Sequence, residues 1–207
     1  MKVQAGLAIA VVLLPPPKIM NLCIKLNQEA KKEGRMSLPL GKKVVPHICL
    51  AVGCIEEKSL AEIKKRLKSL HIKPIKTVIV EKTHFNSQEQ GSPDNKGCLK
   101  VKKTQEFGVL QKRVSKAVAS LFFYNATSEM FFKEKGKKVS QKTIQNVNQY
   151  MKMRCGKNYN PHISLKGWGF PNKKLHLQFT INTLAVFQMG EGCTCRKLLF
   201  KITLRNE

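Results

Sequence analysis

Apolar and polar positions along this chain switch between two periods, and the switches mark its elements. Ala5 to Leu14 is almost wholly apolar, rich in Val, Ile and Leu, and Pro15-Pro16-Pro17 closes it, which predicts a buried strand. From Lys18 to Gly34 the apolar residues Ile19, Leu22, Cys23 and Leu26 fall on one helical stripe, with Gly34 as a stop. Residues 44–53 return to strand character. Ser59-Leu60-Ala61-Glu62 has the order of a capping box, serine with glutamate three residues on. It predicts a helix to about Leu70 with Leu60, Ile63 and Leu67 inward. Ile75 to Lys82 reads as a strand, and His84 to Gly97 is polar and turn-rich, hence a surface loop.

The second half repeats the theme loosely. Thr104 is placed to cap a helix running to Tyr124, with Phe107, Leu110, Val114, Val118 and Leu121 at helical spacing. Phe131, Phe132 and the Lys-rich stretch to Lys138 form a connector. Ser140 opens a helix that buries Ile144, Val147 and Met151 and ends at Gly156. Three strands follow: one at Pro161–Leu165, one across Leu175 to Phe187, and a last from Arg196 to Leu204, with Gly190-Glu191-Gly192 turning between the final two. Helices and strands in both halves predict an α+β class with a duplicated, two-lobed plan.

Inside this pattern two pentapeptides are near copies: Pro46-His47-Ile48-Cys49-Leu50 and Pro161-His162-Ile163-Ser164-Leu165. The chain has five histidines, and two of them occupy this one frame. In a strand, residues i and i+2 share a face. His47 therefore stands beside Cys49, and His162 beside Ser164, while Ile48, Leu50, Ile163 and Leu165 turn to the buried side. If the strands meet, one site gains two imidazoles and two small hydrogen-bonding groups. Those groups suit metal-free acid–base chemistry on a phosphate. An unperturbed imidazole titrates near 6.5, so one ring can be neutral while its partner is charged.

Charge adds a partner to this picture. The 38 Lys and Arg against 13 Asp and Glu give a formal net charge of +25, a surface that favours polyanions such as RNA. Only six of the basic residues are arginine, and lysine, a hydrated point charge, supports contact with phosphates more than readout of bases. Seven cysteines are scattered without a CxxC pair, which argues against a zinc ribbon and for reduced thiols in a cytoplasmic protein. The basic start and the apolar run to Leu14 resemble a signal peptide. However, prolines stand where a cleavage site should lie, and the run is well short of the ~20 residues that span a bilayer. No membrane association is expected.

The paired P-H-h-[ST]-L motifs, one per half, resemble those of the two-histidine (2H) phosphoesterase superfamily, in the branch of 2′–5′ RNA ligase-like proteins and RNA cyclic phosphodiesterases. The likeness covers nearly the whole chain, through LPLGKKVVPHICLAVGCI, YNPHISLKGWG and the closing FTINTLAVFQMGEGCTCRKLLFKITL. It implies a single domain over residues 1–207 made of two pseudo-symmetric lobes, with antiparallel sheets lining a central groove and helices outside. It also implies a monomeric hydrolase, without cofactor or metal, acting on a 2′,3′-cyclic phosphate or a 2′–5′ phosphodiester of RNA ends or small nucleotides. His47 and His162 are then the catalytic pair. Cys49, Ser164 and Lys166 are candidate phosphate-binding groups, and Tyr159 and Trp168 candidate base-stacking groups. Two departures matter. Cys49 stands where the family has serine or threonine, and a thiol is a weak donor. An arginine that many relatives carry just beyond the second motif is missing, and Lys166, with the parity of His162 and Ser164, is the cation available instead. The alternative reading is a catalytically weak or inactive basic RNA-binding module using the same groove.

Overall fold

The computed structural model describes residues 6–85, 96–134 and 138–206. Eight strands and four α-helices follow the order β1 (Gly6–Leu13), α1 (Pro17–Lys32), β2 (Ile48–Glu56), α2 (Leu60–Lys68), β3 (Ile75–Phe85), β4 (Lys96–Val101), α3 (Gln105–Val118), α4 (Gln141–Arg154), β5 (His162–Trp168), β6 (Lys173–Ile181), β7 (Thr183–Gly190) and β8 (Thr194–Thr203). The strands form one antiparallel sheet in the order β6-β3-β4-β5-β2-β1-β7-β8. The architecture is thus α+β, as the alternation of periods predicts.

The sheet is built from two four-stranded halves, β6-β3-β4-β5 and β2-β1-β7-β8. They join at one register pair, Ile48 opposite Ile163. In each half the motif strand lies antiparallel to the strand that precedes it across helix: β1–α1–β2 in one, β4–α3–α4–β5 in the other.

Parity assigns the faces. Ile48, Leu50, Leu99, Ile163 and Leu165 point to the side where α1 (Ile19, Cys23, Ala30), α2 (Ile63, Leu67) and α3 (Phe107, Val114, Val118) pack, and all of these residues are buried. The opposite side of β2, β1, β7 and β8 carries a second cluster, in which Ala8, Ala10, Val52 and Phe187 meet Ile144 and Val147 of α4. Thus α4 alone among the four α-helices lies on the histidine side.

Local signals explain most boundaries. Pro17 opens α1 at a position where its missing N–H costs nothing. The Thr104 and Ser140 side chains accept from Phe107 N and Thr143 N, capping α3 and α4. The capping box at Ser59 does not form: Glu57–Ser59 make a 3-10 turn, so Ser59 is already helical and its side chain makes no cap bond. The third helix stops at Val118 rather than Tyr124, because Ala119–Leu121 tighten into another 3-10 turn. Met151 is half-buried at the edge of its stripe.

The expected strand over Leu175–Phe187 is two strands. At Asn182 the chain leaves β3 and takes β1 as its partner, a change that alternation cannot register. The loop expected over His84 to Gly97 gives way at both ends to strand, since β3 runs to Phe85 and β4 begins at Lys96; its centre, 86–95, lies outside the described residues, as do Ala5 and part of the Lys-rich connector. The strand β4 carries no pattern of its own in the sequence. Its Gly97 is required because a side chain there would run into the Phe170 ring.

Candidate active site

The Ile48–Ile163 pairing fixes the geometry of both motifs. Opposite residues of an antiparallel pair share a face, so this register sets His47 across from Ser164 and Cys49 across from His162. Ile48, Leu50, Ile163 and Leu165 are fully buried, whereas His47, Cys49, His162, Ser164 and Lys166 are half-buried and line one cavity of about 420 Å³. The structure therefore brings together both histidines and all three expected phosphate-facing residues.

The two rings are held in the same way. His47 Nδ1 lies 2.7 Å from the Val45 carbonyl, and His162 Nδ1 lies 2.8 Å from that of Asn160, each two residues upstream. A carbonyl only accepts, so Nδ1 carries the proton and Nε2 carries the lone pair of the neutral ring. Burial pulls both rings down to about 4 from the usual 6.5. The carbonyl bonds oppose that shift, while the nearby cation Lys166 reinforces it at both rings; His162 adds to it at His47, and Arg154 at His162. At neutral pH both imidazoles are thus neutral.

Burial pushes the Cys49 thiol up to about 12, so it stands protonated and is a poor nucleophile. Its Sγ lies 4.0 Å from the Ala51 carbonyl, and Tyr150 of α4 lines the same cavity. Lys166 sits at φ 51, a left-handed conformation that costs a β-strand residue about 1–3 kcal/mol. The surroundings hold it there: its carbonyl accepts from Ser37 N at 2.9 Å and Ser37 Oγ at 3.0 Å, and its Nζ donates to the Gly192 carbonyl at 2.8 Å. Burial lowers the Lys166 ammonium from its ordinary value.

The wall facing the motifs is α4, and sequence reasoning did not assign it to the site. Lys142, Asn146, Tyr150 and Arg154 recur every fourth residue, one ridge of the helix, and all four line the cavity. That polar ridge beside the buried stripe of Ile144 and Val147 was the available signal. Lys96 on β4 adds a further cation. Among the described lining residues, Lys96, Lys142, Arg154 and Lys166 face one carboxylate, Glu191, which accepts from Ser140 N and Oγ at 2.8 Å each. That excess of positive charge attracts anions.

The two candidate stacking residues separate. Tyr159 lines the cavity but is buried, and its hydroxyl has no hydrogen-bond partner. Trp168 is 37% exposed at the end of β5, outside the cavity lining, with its backbone held by Arg35 on both sides. His71 follows α2 and His176 lies on β6, both away from the cavity. Among the described residues, no group of three His, Cys, Asp or Glu is arranged to hold a metal ion. All seven cysteines are free, and no described helix is long and apolar enough to cross a membrane.

No family model matches the sequence, and a search of curated proteins finds no match. Solved structures do match. Protein TT0787 of Thermus thermophilus superimposes with a TM-score of 0.66 at 13% identity, covering 97% of this chain and 100% of that one. E. coli LigT complexed with 3′-AMP gives a TM-score of 0.59 at 11% identity, over 97% of this chain and 99% of that one. A protein described as a phosphoesterase gives 0.54 at 14% identity, with 97% and 99% covered. LigT has also been crystallised with NADP+ and with ATP. The chain has the LigT-like fold over 97% of its length.

Proposed function

We propose that this protein is a 2H-type phosphoesterase that opens a 2′,3′-cyclic phosphate, or cleaves a 2′–5′ phosphodiester, by acid–base catalysis between His47 and His162. One observation carries the reading. Two imidazoles, each with Nδ1 tied to the carbonyl two residues back, line one cationic cavity opposite two small hydrogen-bonding side chains. The LigT-like fold and the nucleotide complexes of E. coli LigT support it further.

In this mechanism the anionic phosphodiester is drawn in by Lys96, Lys142, Arg154 and Lys166. Its charge raises the affinity of one neighbouring ring for a proton, which neither ring by itself holds at neutral pH. The neutral ring takes a proton from water through Nε2 as the water oxygen bonds to phosphorus. The bond from phosphorus to the departing ribose oxygen breaks, and the charged ring protonates that oxygen. Ser164 and Cys49 donate to the non-bridging oxygens as charge develops, with Lys166 behind them. Tyr159, 2% exposed, serves as cavity wall and offers no free face for stacking, and Trp168 serves only a substrate that continues past the cavity. We take residues 1–207 as one domain of two pseudo-symmetric lobes, supported by the repeated strand–helix–strand around each motif.

The test is a panel of 2′,3′-cyclic nucleotides, cyclic-phosphate RNAs and 2′–5′ oligonucleotides, assayed in EDTA. Wild type should turn over at least one class with a bell-shaped pH–rate profile. His47→Ala and His162→Ala should each abolish turnover, since one transition state needs both rings. Activity lost in EDTA and restored by zinc would replace the acid–base pair with a metal site. Cys49, a weak donor where a hydroxyl would be a strong one, favours the second reading of a catalytically weak RNA-binding module, which stands if no substrate turns over.

A further inference from the structure

The histidine side of the sheet is covered by α4 only over its β2-β1-β7-β8 half. Over β5-β4-β3-β6 the described residues on that side are exposed or half-buried, apart from Cys98. Register fixes which residues these are. His162 lies opposite Lys100, Lys100 opposite Glu81, and Glu81 opposite Lys174, so one row crosses four strands from the catalytic ring to the sheet edge. A second row runs from Ser164 through Cys98 to Thr83. Along the outer strands, His176 and Gln178 of β6 and Lys76 of β3 share that face, and all three are exposed. Leu177, Phe179 and Ile181 point the other way into the core. Three strand spacings carry the row about 14 Å from His162.

We infer that this half-sheet, left uncovered by the described residues, is a track for single-stranded RNA, holding the nucleotides that lead up to the terminal phosphate placed between His47 and His162. The inference rests on the proposed phosphoesterase reading for which end of the RNA lies in the cavity, but the track itself is defined without it. Charge complementarity selects the occupant. Among the described residues, Lys76, Lys100 and Lys174 face it with a single carboxylate, Glu81, which is paired to Lys100 at 3.4 Å. The overall charge of +25 has the same sign. The track is continuous with the cationic cavity, whose edge strand β4 supplies both Lys96 and Lys100. It is lysine-based, so it grips phosphates without reading bases. A mononucleotide fills the cavity and leaves the track empty; an RNA chain uses both.

Lys174 lies on the edge strand β6, where lysine also blocks edge-to-edge pairing of sheets. Glutamate would serve that end equally, so charge reversal separates the two roles. Binding is measured by fluorescence anisotropy and competition, using a single-stranded oligoribonucleotide ending in a 3′-phosphate and a nucleoside 3′-monophosphate, neither of which turns over. Wild type should prefer the oligonucleotide. The double variant Lys76→Glu/Lys174→Glu should lose roughly tenfold of oligonucleotide affinity near physiological salt, with the dependence of log K on log salt shallower by about 1.4, as for two phosphate contacts. Its affinity for the monophosphate should be unchanged. Lys76→Arg/Lys174→Arg should bind as wild type, which shows that the face tolerates substitution. Oligonucleotide affinity untouched by the reversal would overturn the track, including the case in which this face proves to bind another protein. Equal losses on both ligands would overturn it too. Absence of turnover on every cyclic substrate, with this binding pattern intact, would remove the enzyme and leave the track standing.

Discussion

Cys49 carries the chemistry most open to a single substitution. It sits across from His162, where a hydroxyl would donate strongly to a phosphate oxygen, and as a protonated thiol it donates weakly. A hydrogen bond to a charged group is worth about 1.5–3 kcal/mol. Felt only in the transition state, that is roughly 10- to 100-fold in rate. Cys49→Ser is therefore expected to raise kcat by up to that factor, and Ser164→Ala to lower it comparably, in initial-rate assays on the best substrate of the panel. A serine variant that is slower, combined with inactivation of wild type by thiol alkylation, would show that the sulfur itself contributes. The sequence displays His47, Cys49, His162 and Ser164 as a paired motif. It does not display Tyr150, which lines the same cavity from a helix about a hundred residues away in the chain.

The fourth helix is the element on which the site depends most. Its N-cap Ser140 accepts from Thr143 N, and its hydroxyl and backbone N–H both donate to Glu191 in the β7–β8 turn. That turn also supplies the Gly192 carbonyl that holds Lys166 Nζ. One cap therefore ties the polar ridge of α4 to the strained lysine of β5. Ser140→Ala should cost about 1 kcal/mol of stability, the usual cost of losing a serine cap. It should also raise KM more than it lowers kcat, because the wall and the lysine shift while both histidines stay on their strands. Urea unfolding together with steady-state kinetics reads both effects, and an unchanged KM would show that the cap acts on stability alone.

At the scale of the whole molecule, two depressed imidazoles make stability depend on pH. In the folded chain His47 and His162 titrate at about 4, against 6.5 in the unfolded chain. Above pH 6.5 both states hold them neutral. As pH falls from about 6.5 towards 4, the unfolded chain takes up protons that the folded rings refuse, so stability drops across that window. Urea midpoints measured from pH 7 to pH 4 should fall, and His47→Gln/His162→Gln should flatten the slope. A double variant as acid-sensitive as wild type would place the titrating groups elsewhere.

Local physics wrote much of this fold legibly. The apolar run closed by three prolines, the stripes of α1 and α3, and the caps at Thr104 and Ser140 follow from periods and hydrogen-bonding chemistry within a few residues of chain. So does the inward and outward parity of both motifs, because strand alternation is set by backbone geometry alone. What lay beyond reach depends on which strand becomes whose neighbour. The break at Asn182 is a change of partner within one unbroken alternation, and β4 exists because β3 and β5 pair with it. The Ile48–Ile163 pairing that sets His47 and His162 side by side joins residues 115 positions apart, and no local rule fixes that register. The same holds for α4: its polar ridge is visible in the sequence, but its place over one half of the sheet is decided by which sheet face is left for Ile144 and Val147 to bury.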